Sequence, residues 1–76
     1  MELDKALGKV ILELNDATRN NGAFTSPHHG YAVILEEFDE LWEEIKKKAR
    51  NRSKHIMEGE AKQIAAMAIR FMVDLC

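Results

Sequence analysis

A run of acidic side chains in the middle of the chain is the feature most able to do chemistry. The ten residues from Leu35 to Glu44 contain six carboxylates, and three consecutive lysines follow at Lys46–Lys48. Carboxylate oxygens are preferred ligands of Mg²⁺ and Mn²⁺, so such a run can belong to a metal site. It can equally be the solvated face of a helix, or pair with basic side chains at a helix rim. The direction in which each acid points separates these alternatives.

Helical geometry divides the six acids into two groups when the chain advances about 100° per residue. One group lies opposite the apolar arc and is predicted to face solvent: Glu36, Asp39 and Glu43. The other group forms a stripe along one margin of that arc: Glu37, Glu40 and Glu44. The arc itself is the predicted core face of this helix: Ile34, Phe38, Leu41, Trp42 and Ile45.

A second polar stripe lies on the last helix of the chain, between two apolar arcs. Its polar members are Glu60, Gln63, Arg70 and Asp74. Buried charge is costly unless it is paired or bound to a metal, so such a stripe is hard to leave in a plain core. If the margins of the two helices face each other, Glu60 meets the acids of the middle helix. Three converging carboxylates would suit Mg²⁺ or Mn²⁺.

Three helices are predicted to position these side chains, at about Leu3–Arg19, Pro27–Ala49 and Met57–Leu75. Ser26 can cap the second helix, and the proline that follows suits a first helical turn. A polar connector at Arg50–His55 precedes the third helix. No segment shows strand-like alternation, so the fold class is predicted to be all-α: a three-helix chain that assembles into a helical-bundle homo-oligomer.

The length of 76 residues allows at most one small domain, predicted to span residues 1–76. A chain of this size buries little surface by itself. The last helix is apolar on most sides, because between Ile64 and Cys76 only Arg70 and Asp74 are charged. We therefore expect a homodimer or homotetramer whose interface includes this helix.

The cysteine content and the termini bear on location. Cys76 is the only cysteine, which excludes a disulfide framework and a cysteine-based zinc site. The first residues show no signal-peptide pattern, and no apolar run reaches membrane-spanning length. We expect a cytoplasmic protein that does not contact a membrane.

The charge distribution is uneven although the formal net charge is only −2. Residues 46–55 contain six lysines and arginines and no acid. This basic segment can be a solvated helix end, which cations suit, or a patch that attracts phosphate groups. Aromatic residues are not interleaved with it, so nucleic acid is not the expected partner.

Two short motifs resemble those of the MazG-like all-α nucleoside triphosphate pyrophosphohydrolases. The segment EEFDE at Glu36–Glu40 is followed, after a spacer of 19 residues, by EAKQ at Glu60–Gln63. The family pattern is E-x-x-E, a spacer and E-x-x-D, and the likeness extends from His28 to Phe71. The resemblance implies an enzyme that binds Mg²⁺ through the motif carboxylates. Such an enzyme cleaves nucleoside triphosphates to the monophosphate and pyrophosphate.

The resemblance also implies roles for individual residues. Glu37 and Glu40 would be the first metal ligands and Glu60 the third, the same acids that helical geometry turns inward. Gln63 stands where the motif has aspartate. Its amide oxygen can bind a metal without contributing charge, so the site would hold Mg²⁺ less tightly.

Three further residues are candidates for the reaction. Glu44 is predicted to orient the attacking water, and Lys47 and Lys48 to hold phosphate charge, although each lysine can equally be a solvated side chain. Two functions remain open at this point. One is a pyrophosphohydrolase, weakened because residue 63 is glutamine. The other is a non-enzymatic helical oligomer, regulatory or interacting, that keeps the MazG-like fold without catalysis.

Overall fold

The first helix, α1, spans Leu3–Asn20 in a computed structural model that describes residues 1–76. Its C-terminus lies one residue beyond the predicted end, within the usual variation of helix boundaries. Asn21 leaves the helix in an extended conformation, while its N–H donates to the carbonyl oxygen of Ala17. The segment Asn21–Ser26 then connects α1 to the second helix.

The second helix, α2, spans Pro27–Ile45 and begins at the predicted position. The Ser26 hydroxyl accepts a hydrogen bond from the His29 N–H at 3.1 Å, which confirms the predicted cap. The predicted end at Ala49 is wrong. The helix stops four residues earlier because Arg52 Nε donates to the Ile45 carbonyl oxygen at 2.7 Å, and a short 3₁₀ helix at Ala49–Asn51 follows.

The third helix, α3, spans Lys54–Leu75 and begins three residues before the predicted start. Ser53 caps it, because its hydroxyl accepts from the Ile56 N–H at 3.1 Å. Ser53 caps α3 in the same way that Ser26 caps α2. Two residues of the predicted polar connector therefore lie in the helix.

The three helices pack with α3 in the centre. Helix α3 contacts both α1 and α2, whereas α1 and α2 do not pack against each other. The buried core is small and consists of Ala17, Phe24, Ala66 and Met67. The prediction of an all-α, three-helix chain is confirmed. None of the helices combines the length and apolar character needed to cross a membrane.

The rotation of α2 differs from the predicted core face. Gly30 packs so closely on α3 that a Cβ atom there would lie 2.6 Å from Phe71 Cδ2. Glu37 and Glu44 lie about two and four turns further along the same face of α2 and are also turned toward α3 and its N-cap. As a result Phe38 is 51% exposed and Trp42 57% exposed, so their predicted place in the core of the single chain is wrong. The other three predicted core residues are half-buried: Ile34, Leu41 and Ile45.

Candidate functional site

Three carboxylates from two helices meet where α2 faces α3. One oxygen from each of Glu37, Glu40 and Glu60 lies within 4.8 Å of the others. Glu37 and Glu40 are separated by one helical turn and therefore share a face of α2, while Glu60 comes from the first half of α3. The structure thus brings together the three acids that helical geometry placed on facing margins.

The surroundings of this group, which we call the carboxylate triad, are unfavourable for negative charge. Glu37 and Glu60 are half-buried and Glu40 is exposed. The Oε2 atoms of Glu37 and Glu60 are shielded from solvent and have no hydrogen-bond partner. No lysine or arginine forms an ion pair with any of the three. A buried acceptor without a donor is costly unless a partner or a proton is supplied to it.

The pKa values of two carboxyls in the triad are raised, which agrees with surroundings that are unfavourable for negative charge. Burial, followed by the charges of Glu40 and Glu60, raises the pKa of Glu37 to about 7. Burial, followed by the neighbouring Glu40 carboxyl, also raises the pKa of Glu60. Desolvation and like charge both favour the protonated form of a carboxyl, whereas a bound cation would favour the ionised form.

The donor set fits a hard divalent cation. Carboxylate oxygens are the ligands that Mg²⁺ and Mn²⁺ prefer, and two of the oxygens in this group are buried without a hydrogen-bond partner. Gln63 lies one turn beyond Glu60 and is half-buried. It lines a cleft that Glu37 also lines. Gln63 and Glu37 therefore share one wall of this cleft, and the three converging groups are the carboxylates of the triad.

Glu44 has a different environment from the triad. It is only 4% exposed, and both oxygens are occupied. Its Oε1 accepts from Lys47 Nζ at 2.8 Å, and its Oε2 accepts from the Ser53 N–H at 2.8 Å. These bonds, the one from Lys47 foremost, hold the pKa of the Glu44 carboxyl below its usual range. Glu44 therefore secures the turn between α2 and α3.

The occupied oxygens bear on the predicted reaction roles. To orient a water molecule, Glu44 would have to use oxygens that already accept these two hydrogen bonds. Lys47 is already engaged with Glu44, whereas Lys48 is exposed and forms no ion pair. The roles of these three residues stay predictions.

The C-terminal half of the α3 stripe holds the α1–α2 loop in place. Arg70 is 6% exposed, and its Nη2 donates to the Gly22 carbonyl oxygen at 2.5 Å. Its guanidinium carbon also lies 4.6 Å from the centroid of the Phe24 ring. Asp74 Oδ2 accepts from the Phe24 N–H at 2.9 Å. Sequence reasoning assigned no partner to Arg70 or Asp74, because the partners are backbone groups of a loop about 50 residues away.

A cleft of about 530 Å³ adjoins the triad, between α1, the α1–α2 loop and the inner faces of α2 and α3. Glu13 and Asp16 of α1 line it opposite Glu37 and Gln63. Sequence reasoning missed the cleft and its two α1 acids. The only signal was that Glu13 and Asp16 are three residues apart and so share a helix face.

No protein-family model matches the chain, and neither the curated proteins nor the solved structures include one with significant similarity to it. What the chain does must therefore be inferred from its own residues.

Proposed function

We propose that the protein is a Mg²⁺-dependent nucleoside triphosphate pyrophosphohydrolase of the MazG-like kind, which converts a nucleoside triphosphate to the monophosphate and pyrophosphate. One observation carries the proposal. Glu37, Glu40 and Glu60 converge within 4.8 Å, and two of them keep a buried oxygen with no partner. Helical bundles commonly build metal sites from inward-facing carboxylates on facing helices.

The residues of the triad would hold the metal, and Gln63 would add a neutral ligand nearby. When bound, Mg²⁺ (or Mn²⁺) would supply charge neutralisation and polarisation of the phosphate groups. Because Gln63 contributes no charge, we expect weaker metal binding than four carboxylates would give. Such an enzyme would work at millimolar Mg²⁺.

Other residues would act on the phosphates and the attacking water. Lys48 is free of ion pairs and would attract phosphate charge, and Lys47 would do the same if it left Glu44. Glu44 would orient water through the oxygen released at that moment. The exposed position of both lysines allows this exchange.

The test is a screen for pyrophosphate release from nucleoside triphosphates in Mg²⁺ buffer. We expect Glu37→Gln and Glu40→Gln each to lower kcat/KM by roughly a hundredfold or more, because each removes a charged ligand. Glu36→Gln is the matched control, since it makes the same change one residue away on the exposed face of α2. Unchanged activity in both triad variants would refute the assignment.

A second variant examines residue 63 directly. Gln63→Asp restores the charge that the family motif carries at this position, and we expect it to increase the rate and lower the Mg²⁺ concentration needed for half-maximal activity. An equal or lower rate at every Mg²⁺ concentration would remove Gln63 from the metal site.

A non-enzymatic helical oligomer is the second candidate function, and two observations favour it. Residue 63 is uncharged, and large apolar side chains remain exposed along α1 and α2: Leu3, Leu7, Ile11, Tyr31, Leu35, Phe38 and Trp42. Apolar patches of this kind commonly mark protein–protein contacts, and a homodimer or homotetramer would cover them.

The two candidates differ in measurable ways. The oligomer without catalysis predicts no pyrophosphate release and no response of the melting temperature to Mg²⁺. Light scattering after size-exclusion chromatography would give the mass in solution, and Trp42→Ser should shift it toward the monomer. A monomeric wild-type protein would rule out this second candidate.

A further inference from the structure

The cleft beside the triad has the size of a small-molecule site. Its volume of about 530 Å³ lies within the roughly 300–1,000 Å³ typical of such sites. Glu37 belongs both to the triad and to the wall of the cleft. A single ligand can therefore reach from the cleft to the triad.

The charges in the cleft are unsuited to phosphate. Arg70 is the only lysine or arginine in the wall, and it is already committed to the Gly22 carbonyl oxygen and the Phe24 ring. Glu13 is half-buried and forms no ion pair, and Asp16 has only a long, exposed contact of 3.8 Å with Arg19. The available charge is thus negative, so a phosphate group would be repelled.

The uncharged polar groups of the cleft suit a flat ligand with hydrogen-bond donors and acceptors. The side-chain amides of Asn20, Asn21 and Gln63 line the wall. Amide side chains pair with the adenine edge through two hydrogen bonds, and carboxylates accept from the amino group of cytosine. Carboxylates and amides together therefore match bases that carry an exocyclic amino group.

We propose that this cleft binds the base of the nucleotide and selects adenine and cytosine over bases with a carbonyl at the same position. The proposal rests on the pyrophosphohydrolase function proposed above, in which the triad end receives the phosphates. Glu13 and Asp16 accept hydrogen bonds from the exocyclic amino group. The carbonyl oxygen of hypoxanthine or uracil at that place would meet these two acceptors, and an ionised carboxylate has no hydrogen to donate to it.

The test uses free nucleosides in metal-free buffer, so that neither phosphate nor cation takes part. Adenosine and inosine form one matched pair, and cytidine and uridine form a second, each differing in the amino and carbonyl groups. Titrations are followed by ¹H–¹⁵N NMR. We expect the amino member of each pair to bind about tenfold or more tightly, and to shift the backbone signals of residues 20–24.

Substitutions in α1 then identify the residues responsible. The double variant Glu13→Gln with Asp16→Asn should reduce the preference within each pair to about twofold or less, because an amide can donate to a carbonyl as well as accept from an amine. Asp4→Asn is the control, since Asp4 is an exposed acid on the same helix and does not line the cleft. It should leave the preference unchanged.

Three outcomes would overturn the proposal: no signal shifts at millimolar nucleoside, equal binding within both pairs, or a preference that survives the double variant. None of them bears on the triad, because the titration contains no triphosphate and no Mg²⁺. Conversely, a failed pyrophosphate screen with selective nucleoside binding would overturn the proposed enzyme and retain the base-binding cleft.

Discussion

At one end of the polar stripe on α3, Arg70 and Asp74 hold the α1–α2 loop through hydrogen bonds, whereas at the other end Glu60 keeps a buried oxygen without a partner. Both ends face the interior of the same three-helix chain. The difference lies in what is opposite: loop backbone in one case, and two more carboxylates in the other. The satisfied end stabilises the fold, and the unsatisfied end is available to a cation.

The largest expected effect is on stability at the satisfied end. Arg70→Met should lower the free energy of unfolding by about 2–4 kcal/mol, because it leaves the Gly22 carbonyl oxygen unpaired and removes the contact with the Phe24 ring. Urea unfolding followed by circular dichroism would measure it. Arg50→Met, at an exposed position, should change the value by less than about 0.5 kcal/mol. Equal effects would mean that the Arg70 contacts do not hold the loop.

The next effect is stabilisation by Mg²⁺ at the unsatisfied end. A ligand at ten times its Kd stabilises by about 1.4 kcal/mol, which for a chain of this size raises Tm by roughly 5–10 °C. Glu60→Gln should abolish the rise. Asp74→Asn should retain it from a lower starting Tm, since Asp74 contacts only the loop. Thermal unfolding with and without millimolar Mg²⁺ tests this, and a rise that persists in Glu60→Gln would contradict it.

A smaller effect concerns pH in the absence of metal. The pKa of Glu37 is about 7 in the folded chain against an ordinary value of 4.5, so the folded chain retains a proton that the unfolded chain releases. The stabilisation from this retained proton on Glu37 is complete below about pH 4.5 and is lost as pH rises through about 7. Glu37→Gln should therefore raise the free energy of unfolding at about pH 8 by about 1 kcal/mol, a value reduced by solvent screening of a partly exposed group.

The measurement is urea unfolding at about pH 5 and about pH 8 in the presence of a chelator. Glu36→Gln, on the exposed face, should raise stability at the higher pH much less, because the charge of Glu36 is the last of the causes that raise the pKa of Glu37. If Glu37→Gln destabilises the metal-free protein at both pH values, the carboxylate has a partner that compensates its burial.

The smallest effect involves Glu44, whose stabilisation depends on pH in the opposite direction to that of Glu37. Its pKa is lowered by Lys47 and the Ser53 N–H, so its stabilisation is present above about pH 4.5 and lost as pH falls through the lowered value. Glu44→Gln should lower Tm by a few degrees at neutral pH and by less in acid. Glu43→Gln is the control, because Glu43 forms an ion pair with Lys46 at the same spacing but on the exposed surface. Equal losses in both variants would place Glu44 among ordinary surface pairs.

The core face of α2 shows why sequence periodicity was insufficient. Periodicity places Phe38 and Trp42 inward because it sorts residues by hydrophobicity. In the single chain, Gly30 packs against Phe71, and the face of α2 that carries Gly30 and Glu37 lies toward α3 while Phe38 and Trp42 stay exposed. A glycine contributes nothing to a hydrophobic pattern, so this close contact between the two helices was invisible in it.

The end of α2 was mispredicted for a related reason. Residues 46–49 are acceptable in a helix, and nothing local ends it there. The bond from Arg52 to the Ile45 carbonyl oxygen and the bond from the Ser53 N–H to Glu44 turn the chain. Both involve residues seven or nine positions apart, which a periodic pattern does not register.

By itself the sequence determined the all-α class, the three helices, the Ser26 cap and the grouping of Glu37 with Glu40, because each depends on residues within about one helical turn of one another. Tertiary structure alone decided that Glu60 meets that pair, that Arg70 and Asp74 bind the loop, and that a cleft with two α1 acids adjoins the triad. These features require helices to be placed against each other, and that placement follows from close packing at positions such as Gly30.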